Sequence, residues 1–290
     1  MKLDEALLSR REFLLAGVGT AALALVACDV PIDEVPRERE GRLLWRPDPK
    51  LPGRQPSVGL QALGVSPERD SLLYVPPSMP HGKRVPLVVA FHGAGRTASA
   101  ESGLHRFREA SDETGIPIAS PASRGPTWDA ILGSYGPDIE VTGRTLRAVN
   151  DLLGIDPNHV ALAGYSDGAS YALSLGIANG DVVTHVIACS PGFIAESESR
   201  GTPKIFISHG SADPVLPVDS TSRKIVPALR GEGYDVTYIE FPGQHEVPPP
   251  IALEAIEWFG GRRIPEYGYD VTVERNSSKT STYRFTSSSV

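Results

Sequence analysis

One serine of the sequence lies in a setting that favours nucleophilic chemistry. Ser166 stands between Gly164 and Gly168 in the stretch VALAGYSDGAS, after a short apolar run and before a helical pattern. A serine hydroxyl is a weak nucleophile until a neighbouring base removes its proton. A sharp turn from strand to helix exposes such a hydroxyl, and small flanking residues keep the turn free of clashes. The spacing therefore predicts Ser166 as a nucleophile, provided that other parts of the chain supply a base and an acid.

Seven histidines are available as the base. His92 and His209 each precede a glycine at the end of an apolar run, and His245 follows the last such run in FPGQHEVPPP. In a sheet of parallel strands that carries this turn, the three catalytic residues follow one another along the chain in the order nucleophile, acid, histidine. Only His245 satisfies that order, so it is the predicted base. The remaining histidines lie in loops, on a helix or at strand starts: His81, His105, His159 and His185.

Two aspartates could serve as the acid that orients His245. Asp213 lies just past a strand end in ISHGSADPVLPVDS, and Asp219 lies six residues further along the same loop. We favour Asp213 because it is closer to the carboxyl end of the strand. Asp167 is adjacent to Ser166, but a carboxylate there favours the dipole of the helix that starts at this point.

Strand and helix patterns alternate along the middle of the chain. Near-continuous apolar strands between amphipathic helices predict a mostly parallel sheet covered on both faces. Ligand groups gather at the carboxyl ends of the strands in such sheets. The predicted strands are 71–77, 85–93, 116–122, 159–166, 184–190, 203–210 and 235–243, and the clearest helices are 138–153, 167–178, 222–233 and 249–260.

Five motifs in this order resemble the α/β-hydrolases, in particular the small phospholipase/carboxylesterase-like enzymes. They are AFHGAGRTA, RGPTWD, GYSDGASYALS, SHGSADPVLP and GQHEV, and the similarity covers about residues 60–262. Related esterases are described as polyhydroxybutyrate-depolymerase-like or dienelactone-hydrolase-like. The resemblance implies an α/β-hydrolase fold and a serine esterase, with Ser166, Asp213 and His245 as a catalytic triad.

Acyl transfer also needs donors for a developing oxyanion. The expected donors are the backbone N–H groups of Asp167, directly after the nucleophile, and of Ala94, with Gly93 as its neighbour. His92 in the same motif is expected to form structural hydrogen bonds, because its place in the chain order is wrong for the base. His209 is expected to hold the loop that carries Asp213.

Two aromatic side chains are candidates for the substrate pocket. Trp128 follows the strand at 116–122, and Phe193 follows CSPG; for each, core packing and substrate contact are both consistent with the sequence. Many hydrolases insert a lid between the strands at 184–190 and 203–210. The segment SPGFIAESESRGT has no room for a sizeable lid, which predicts a site open to solvent.

The amino-terminal residues have the features of an export signal. Residues 1–27 contain Arg10 and Arg11 before an apolar run, Phe13–Ala27, and resemble a twin-arginine signal. Leu25–Cys28 resembles a lipobox, which predicts cleavage before Cys28 and attachment of a membrane lipid to its thiol. The localisation expected is the periplasm or the cell surface. An uncleaved anchor and a signal that is only cleaved are the alternatives.

The flanks of the predicted catalytic domain, residues 58–262, differ from it in composition. Residues 28–57 are rich in proline and charge and predict a tether. Residues 263–290 are polar and rich in serine and threonine, and predict an extension in which VTV and TYRF could add an edge strand.

Composition narrows the class of ligand. The 290 residues carry 35 acids against 28 Lys and Arg, without a basic run, which argues against nucleic acid. No Cys/His cluster has the spacing of a metal site, and no cofactor is implied.

Cys189, in an apolar run, is predicted to be buried. The expected partner is a small-molecule or lipid-like ester; a serine peptidase of the same fold and a non-catalytic surface binding protein are the alternatives.

Overall fold

Apolar, β-branched runs form a ten-stranded sheet at the centre of the protein. The structure, a computed structural model, describes residues 41–48 and 56–261, together with the backbone of residues 271–274 and 281–283. The strands are β1 (Gly59–Ala62), β2 (Leu72–Val75), β3 (Val85–Phe91), β4 (Ile118–Ser120), β5 (Ile155–Tyr165), β6 (His185–Cys189), β7 (Lys204–Gly210), β8 (Val236–Phe241), β9 (Val271–Glu274) and β10 (Ser281–Tyr283). Their order across the sheet is β1-β2-β4-β3-β5-β6-β7-β8-β9-β10.

The six central strands, β3 to β8, are parallel to one another. At one edge β2 runs antiparallel to β4 and β1, and at the other edge β9 and β10 are antiparallel. Because the central strands are parallel, their carboxyl ends meet at one edge of the sheet. The loops that follow β3, β5, β6, β7 and β8 therefore lie close together, and they contain the predicted site residues.

Helices cover both faces of the sheet. They are α1 (Ala100–His105), α2 (Arg108–Thr114), α3 (Asp129–Leu132), α4 (Pro137–Leu152), α5 (Asp167–Ala178), α6 (Ser222–Gly231) and α7 (Pro249–Phe259). Alternate residues of β3 point to opposite faces, as the twofold period of a strand requires. Leu87 and Val89 join a core cluster with α4, α5 and α6, whereas Val88 and Ala90 join a second cluster with α1, α2 and α7. The predicted parallel sheet with helices on both faces is confirmed.

The structure differs from the sequence prediction in local details. β5 begins at Ile155, four residues before the predicted strand, and β1 and the single turn α3 were not predicted. The backbone of β9 and β10 forms strands within the predicted polar extension, where VTV and TYRF suggested an edge strand.

Part of the predicted tether packs into the domain. Leu43 and Trp45 are buried in the larger core cluster, and the Leu43 N–H donates to Asn179 Oδ1 at 2.8 Å. Arg42 forms an ion pair with Asp181 at 2.9 Å. Residues 41–48 therefore contribute to the core, although the proline and charge of residues 28–57 predicted a tether.

The predicted signal peptide, residues 1–27, and Cys28 lie outside the described residues. Of the helices that are described, none combines the length and the apolar character needed to cross a membrane. Cys189 is fully buried, as predicted, and burial raises the pKa of its thiol to about 11.

Candidate active site

Ser166 occupies a strained turn between β5 and α5. Its backbone has φ 57° and ψ −123°, a conformation that costs free energy for a residue other than glycine. Two glycines allow the chain to pack tightly around it. A Cβ on Gly164 would lie 2.0 Å from the Gly168 carbonyl oxygen, and a Cβ on Gly168 would lie 2.3 Å from the carbonyl oxygen of Phe91 in β3. Both positions therefore require glycine, because a side chain there would clash with the backbone that packs against it. The tight packing fixes the direction of the Ser166 hydroxyl.

Three side chains that are distant in sequence meet at this turn. His245, on the loop after β8, has its Nε2 at 2.9 Å from Ser166 Oγ. Asp213, on the loop after β7, has its Oδ2 at 2.6 Å from His245 Nδ1. Both distances are within hydrogen-bonding range, so the structure brings together all three residues of the predicted triad.

Hydrogen bonds to Asp213 determine which nitrogen of His245 carries the proton. Burial alone would raise the pKa of Asp213, but hydrogen bonds from the Leu216 amide, the His245 ring and the Val215 amide outweigh it and lower that pKa. The carboxylate is therefore ionised at neutral pH and accepts the Nδ1 proton of His245. Nε2 is left as the acceptor for the Ser166 hydroxyl. This arrangement can remove the proton of Ser166 during nucleophilic attack.

A second histidine holds the loop of Asp213 in place, as the sequence predicts. His209 is fully buried; its Nε2 donates to the Leu216 carbonyl at 2.7 Å, and its Nδ1 accepts from the Ser222 hydroxyl at 2.7 Å. The same Nε2 lies 3.2 Å from Asp213 Oδ2. Burial lowers the pKa of His209, which keeps its ring neutral.

Asp219, the alternative acid, lies elsewhere. Its side chain is 81% exposed and forms an ion pair with Arg223 at 2.6 Å, at the start of α6. It is therefore in contact with solvent and a cation, whereas Asp213 is in contact with His245.

The loop after β3 contributes another part of the site. Gly93, Ala94 and Asp167 all line the same pocket as Ser166, as expected for donors to an oxyanion. His92 supports this loop from below: its Nδ1 donates to the Gly93 carbonyl at 2.8 Å and its Nε2 accepts from the Ser123 amide at 3.0 Å. Burial lowers the pKa of His92 to about 4, so the ring is neutral, as these bonds require.

The two aromatic pocket candidates have different surroundings. Phe193 lines the pocket. Trp128 does not: it is fully buried, stacks on Tyr171 and donates from Nε1 to the His92 carbonyl at 2.8 Å. The sequence left core packing and substrate contact open for Trp128, and the structure shows core packing. The Trp128 ring is enclosed by the core and cannot contact a substrate. Its hydrogen bond instead helps to position His92, the residue before Gly93.

The pocket has a volume of about 460 Å³. The segment between β6 and β7 contains no helix, and it packs back on α5 through hydrogen bonds from Gly192 to Ser170 Oγ and from Ala195 to Ser174 Oγ. No lid from this segment covers the pocket, in agreement with the prediction.

Tyr165 and Arg106 are among the pocket-lining residues that were not recognised in the sequence. The Tyr165 hydroxyl donates to the His245 carbonyl at 2.5 Å, and its ring lies 4.8 Å from the imidazole. The Arg106 guanidinium lies 4.2 Å from the centre of the same Tyr165 ring. Tyr165 precedes the nucleophile, which is a usable signal, whereas nothing in the local sequence marks Arg106.

The described residues contain no cluster of three or more His, Cys, Asp or Glu side chains able to hold a metal ion.

Comparison with known proteins shows that the chain is distantly similar to proteins named as esterases. The chain matches no family model. It is 29% identical to the putative esterase NocK of Nocardia uniformis over 167 residues, which is 54% of this chain and 48% of NocK. It is 26% identical to the probable feruloyl esterase C of Aspergillus oryzae, over 66% of this chain and 72% of that protein. The chain spans about half the length of the first curated relatives that it matches.

Solved structures resemble the chain in fold. A truncated carbohydrate esterase from gut microbiota has a TM-score of 0.56 at 16% identity, over 73% of this chain and 99% of that one. At this identity the likeness shows the fold alone. The same fold is seen in the architecture of this chain, which has parallel strands β3 to β8, helices on both faces of the sheet and a strained serine turn after β5. The chain has the α/β-hydrolase fold.

Proposed function

We propose that the protein is a serine hydrolase that cleaves carboxylic esters. The observation that carries this proposal is the chain of hydrogen bonds from Asp213 through His245 to Ser166, with distances of 2.6 and 2.9 Å. The strained backbone at Ser166 adds support, since such strain is concentrated at functional sites. The esterase names of the relatives agree with the same reaction class.

In the proposed mechanism Ser166 Oγ attacks the ester carbonyl carbon while His245 Nε2 takes the hydroxyl proton. The bond to the alkoxy oxygen then breaks, and the same proton passes from Nε2 to the leaving alcohol. A water molecule, deprotonated by His245, next attacks the acyl-enzyme, and Ser166 recovers its proton as the acid is released. Asp213 stays ionised throughout and stabilises the imidazolium.

The backbone N–H groups of Asp167 and Ala94 are the proposed oxyanion donors. Both residues line the pocket beside Ser166, and the Ala94 loop is held by the buried ring of His92. Each donor of this kind contributes about 3 kcal/mol of transition-state stabilisation. No metal or organic cofactor is part of the proposed mechanism.

Labelling with a fluorophosphonate tests the proposal directly. Wild-type protein should form one covalent adduct, located on Ser166 by peptide mass spectrometry, and should hydrolyse 4-nitrophenyl esters of short acyl chains. Ser166→Ala should lose both adduct and turnover. Ser220→Ala is the matched control, because Ser220 lies in the short 3₁₀ turn Val218–Ser220, does not line the pocket, and donates its hydroxyl to the Pro217 carbonyl at 2.9 Å.

Other outcomes distinguish the alternatives. Turnover of peptide amides in preference to esters would indicate a serine peptidase of the same fold. An adduct on Ser166 without turnover of any ester would favour a non-catalytic surface binding protein. Absence of both adduct and turnover in a folded protein would contradict the proposed nucleophile.

We also propose that the chain is exported and anchored to a membrane by a lipid on Cys28. The support is the sequence alone: Arg10 and Arg11 before the apolar run at 13–27, followed by the lipobox-like residues. Replacement of both arginines by lysine should block export through the twin-arginine route. Unchanged export of that variant would contradict the proposal.

A further inference from the structure

The pocket has two chemically different walls. Phe193, Val215 and Leu216, from the loops after β6 and β7, provide an apolar wall. The same pocket is lined by Arg106 and Ser102, from α1 and its C-terminal end, which provide a polar wall. A substrate that contacts both sets of side chains has an apolar part and a polar part.

Arg106 is held rigidly in the polar wall. One guanidinium nitrogen donates to the Ser102 carbonyl at 2.5 Å, and the guanidinium carbon Cζ lies over the Tyr165 ring, 4.2 Å from the ring centre. The side chain is only partly exposed, and burial lowers the pKa of Arg106 from its ordinary value. An arginine in a protein nevertheless remains charged. The cation is thus fixed in position before any ligand binds.

No carboxylate in the described part of the chain forms an ion pair with Arg106. Other arginines of the protein do have such partners: Arg42 pairs with Asp181, and Arg223 pairs with Asp219. The other charged residue of the pocket, Asp167, uses its Oδ2 to accept a hydrogen bond from the Thr127 hydroxyl at 2.6 Å. A partly buried cation without an anion is costly unless a ligand supplies the missing charge.

Arg106 is also close to the reacting atoms. Both Arg106 and the base contact Tyr165, whose ring is 4.8 Å from the His245 ring and 4.2 Å from the guanidinium carbon. The guanidinium is therefore at most about 9 Å from the imidazole centre, the sum of those two distances. That separation suits a substrate in which an anionic group lies a few bonds from the ester.

We propose that the ester hydrolysed at Ser166 carries a carboxylate, which binds the Arg106 guanidinium while the rest of the substrate contacts the apolar wall. This inference rests on the proposed esterase function. A guanidinium has two parallel N–H donors that match the two oxygens of a carboxylate, so recognition is directional as well as electrostatic.

Pairs of matched esters test the proposal. With the carboxylate on the acyl side, the pair is 4-nitrophenyl hydrogen glutarate and 4-nitrophenyl pentanoate. With the carboxylate on the alcohol side, the pair is 4-acetoxybenzoate and 4-acetoxybenzamide. The measured quantity is the ratio of kcat/KM for the anionic ester to that for its neutral partner. Wild-type protein should favour the anionic ester in at least one pair, and that pair shows on which side of the ester the carboxylate lies.

Arg106→Met should lower that ratio roughly 10- to 100-fold, the range expected when a hydrogen bond to a charged group is lost. Arg106→Lys should restore part of it, because the charge returns without the planar pair of donors. The matched control is Arg108→Met: Arg108 stacks on Tyr74 at 4.7 Å in the same manner but does not line the pocket, and its removal should leave the ratio unchanged.

Use of a ratio separates loss of selectivity from general damage to the fold. If neutral esters are hydrolysed, and wild-type protein shows no preference for the anionic ester in either pair, the inference is overturned while the esterase proposal stands. An equal ratio in wild type and Arg106→Met overturns it as well. If no ester of either pair is hydrolysed, it is the proposed function that has failed.

Discussion

Substitution of Gly168 by alanine should damage the active site through the backbone alone. The added Cβ would lie 2.3 Å from the Phe91 carbonyl oxygen and 2.4 Å from the His92 carbonyl oxygen, whereas real Cβ contacts essentially never fall below 3.0 Å. Since both oxygens belong to backbone at the end of a central strand, the first turn of α5 must move away by about 0.7 Å. Ser166 is the residue that precedes this turn, so its hydroxyl moves with it.

A displacement of about 1 Å in a catalytic group costs roughly 100-fold in rate. We therefore expect Gly168→Ala to lower kcat/KM for a 4-nitrophenyl ester about 100-fold. Overpacking of this kind also lowers the free energy of unfolding by about 1–3 kcal/mol. Urea unfolding followed by circular dichroism would measure the second effect, and the rate of fluorophosphonate labelling would report on Ser166 independently of substrate binding.

Gly231 provides the control for this substitution. It lies at the end of α6, and a Cβ there would meet no atom within 4 Å. Gly231→Ala should retain wild-type turnover and stabilise the protein by about 0.5–1 kcal/mol, since alanine favours the helix. Wild-type turnover in Gly168→Ala would refute the steric argument and, with it, the view that the serine turn is fixed by close backbone approach.

Three further predictions concern the acid, a buried histidine and the packed segment near the amino terminus. Asp213→Asn should lower kcat about 10⁴-fold, since the wrong tautomer of the base is then favoured, whereas Asp219→Asn, at an exposed ion pair, should retain activity. The pKa of His92 is lowered to about 4, so its neutral form is favoured by folding, and its contribution to the free energy of unfolding is lost as pH falls from about 6.5 to 4. The loss should approach about 3 kcal/mol, and His92→Asn should lack this component in urea titrations at pH 7 and pH 4. Leu43→Ala should cost about 2–4 kcal/mol in the same assay at pH 7, because the side chain is buried in the core.

Each of these has a clear contradicting result. Equal losses of kcat in the two aspartate variants would remove the distinction between a buried acid and an exposed one. An identical fall in stability for wild type and His92→Asn on acidification would assign the effect to other groups. Unchanged stability of Leu43→Ala would mean that residues 41–48 are a tether after all.

The central strands and the triad positions were predictable because their signals are local. Near-continuous apolar runs define β3, β5, β6 and β7, and in a parallel sheet their carboxyl ends must share one edge. Glycines at 164 and 168 mark the serine turn, and chain order then leaves His245 as the base. These inferences need no knowledge of which side chains touch.

Other features depend on contacts between distant residues and could not be predicted. Trp128 and Phe193 follow similar strand ends, yet only Phe193 reaches the pocket, because the Trp128 ring is enclosed by Tyr171 and by the His92 backbone. The Leu43 side chain is buried in the core cluster, and its N–H donates to Asn179, 136 residues away. Arg106 gains its importance from the Tyr165 ring, and helical spacing alone gives no reason to place it beside Ser166.

The most direct test of the central claim compares kcat for Ser166→Ala, His245→Ala and the double variant. If the two side chains act as one unit, joined by the 2.9 Å hydrogen bond, each single change should remove nearly all turnover and the double change should cost little more. If the losses of the single variants instead add in free energy, the two residues act independently, and the proposed transfer of a proton from Ser166 to His245 is contradicted.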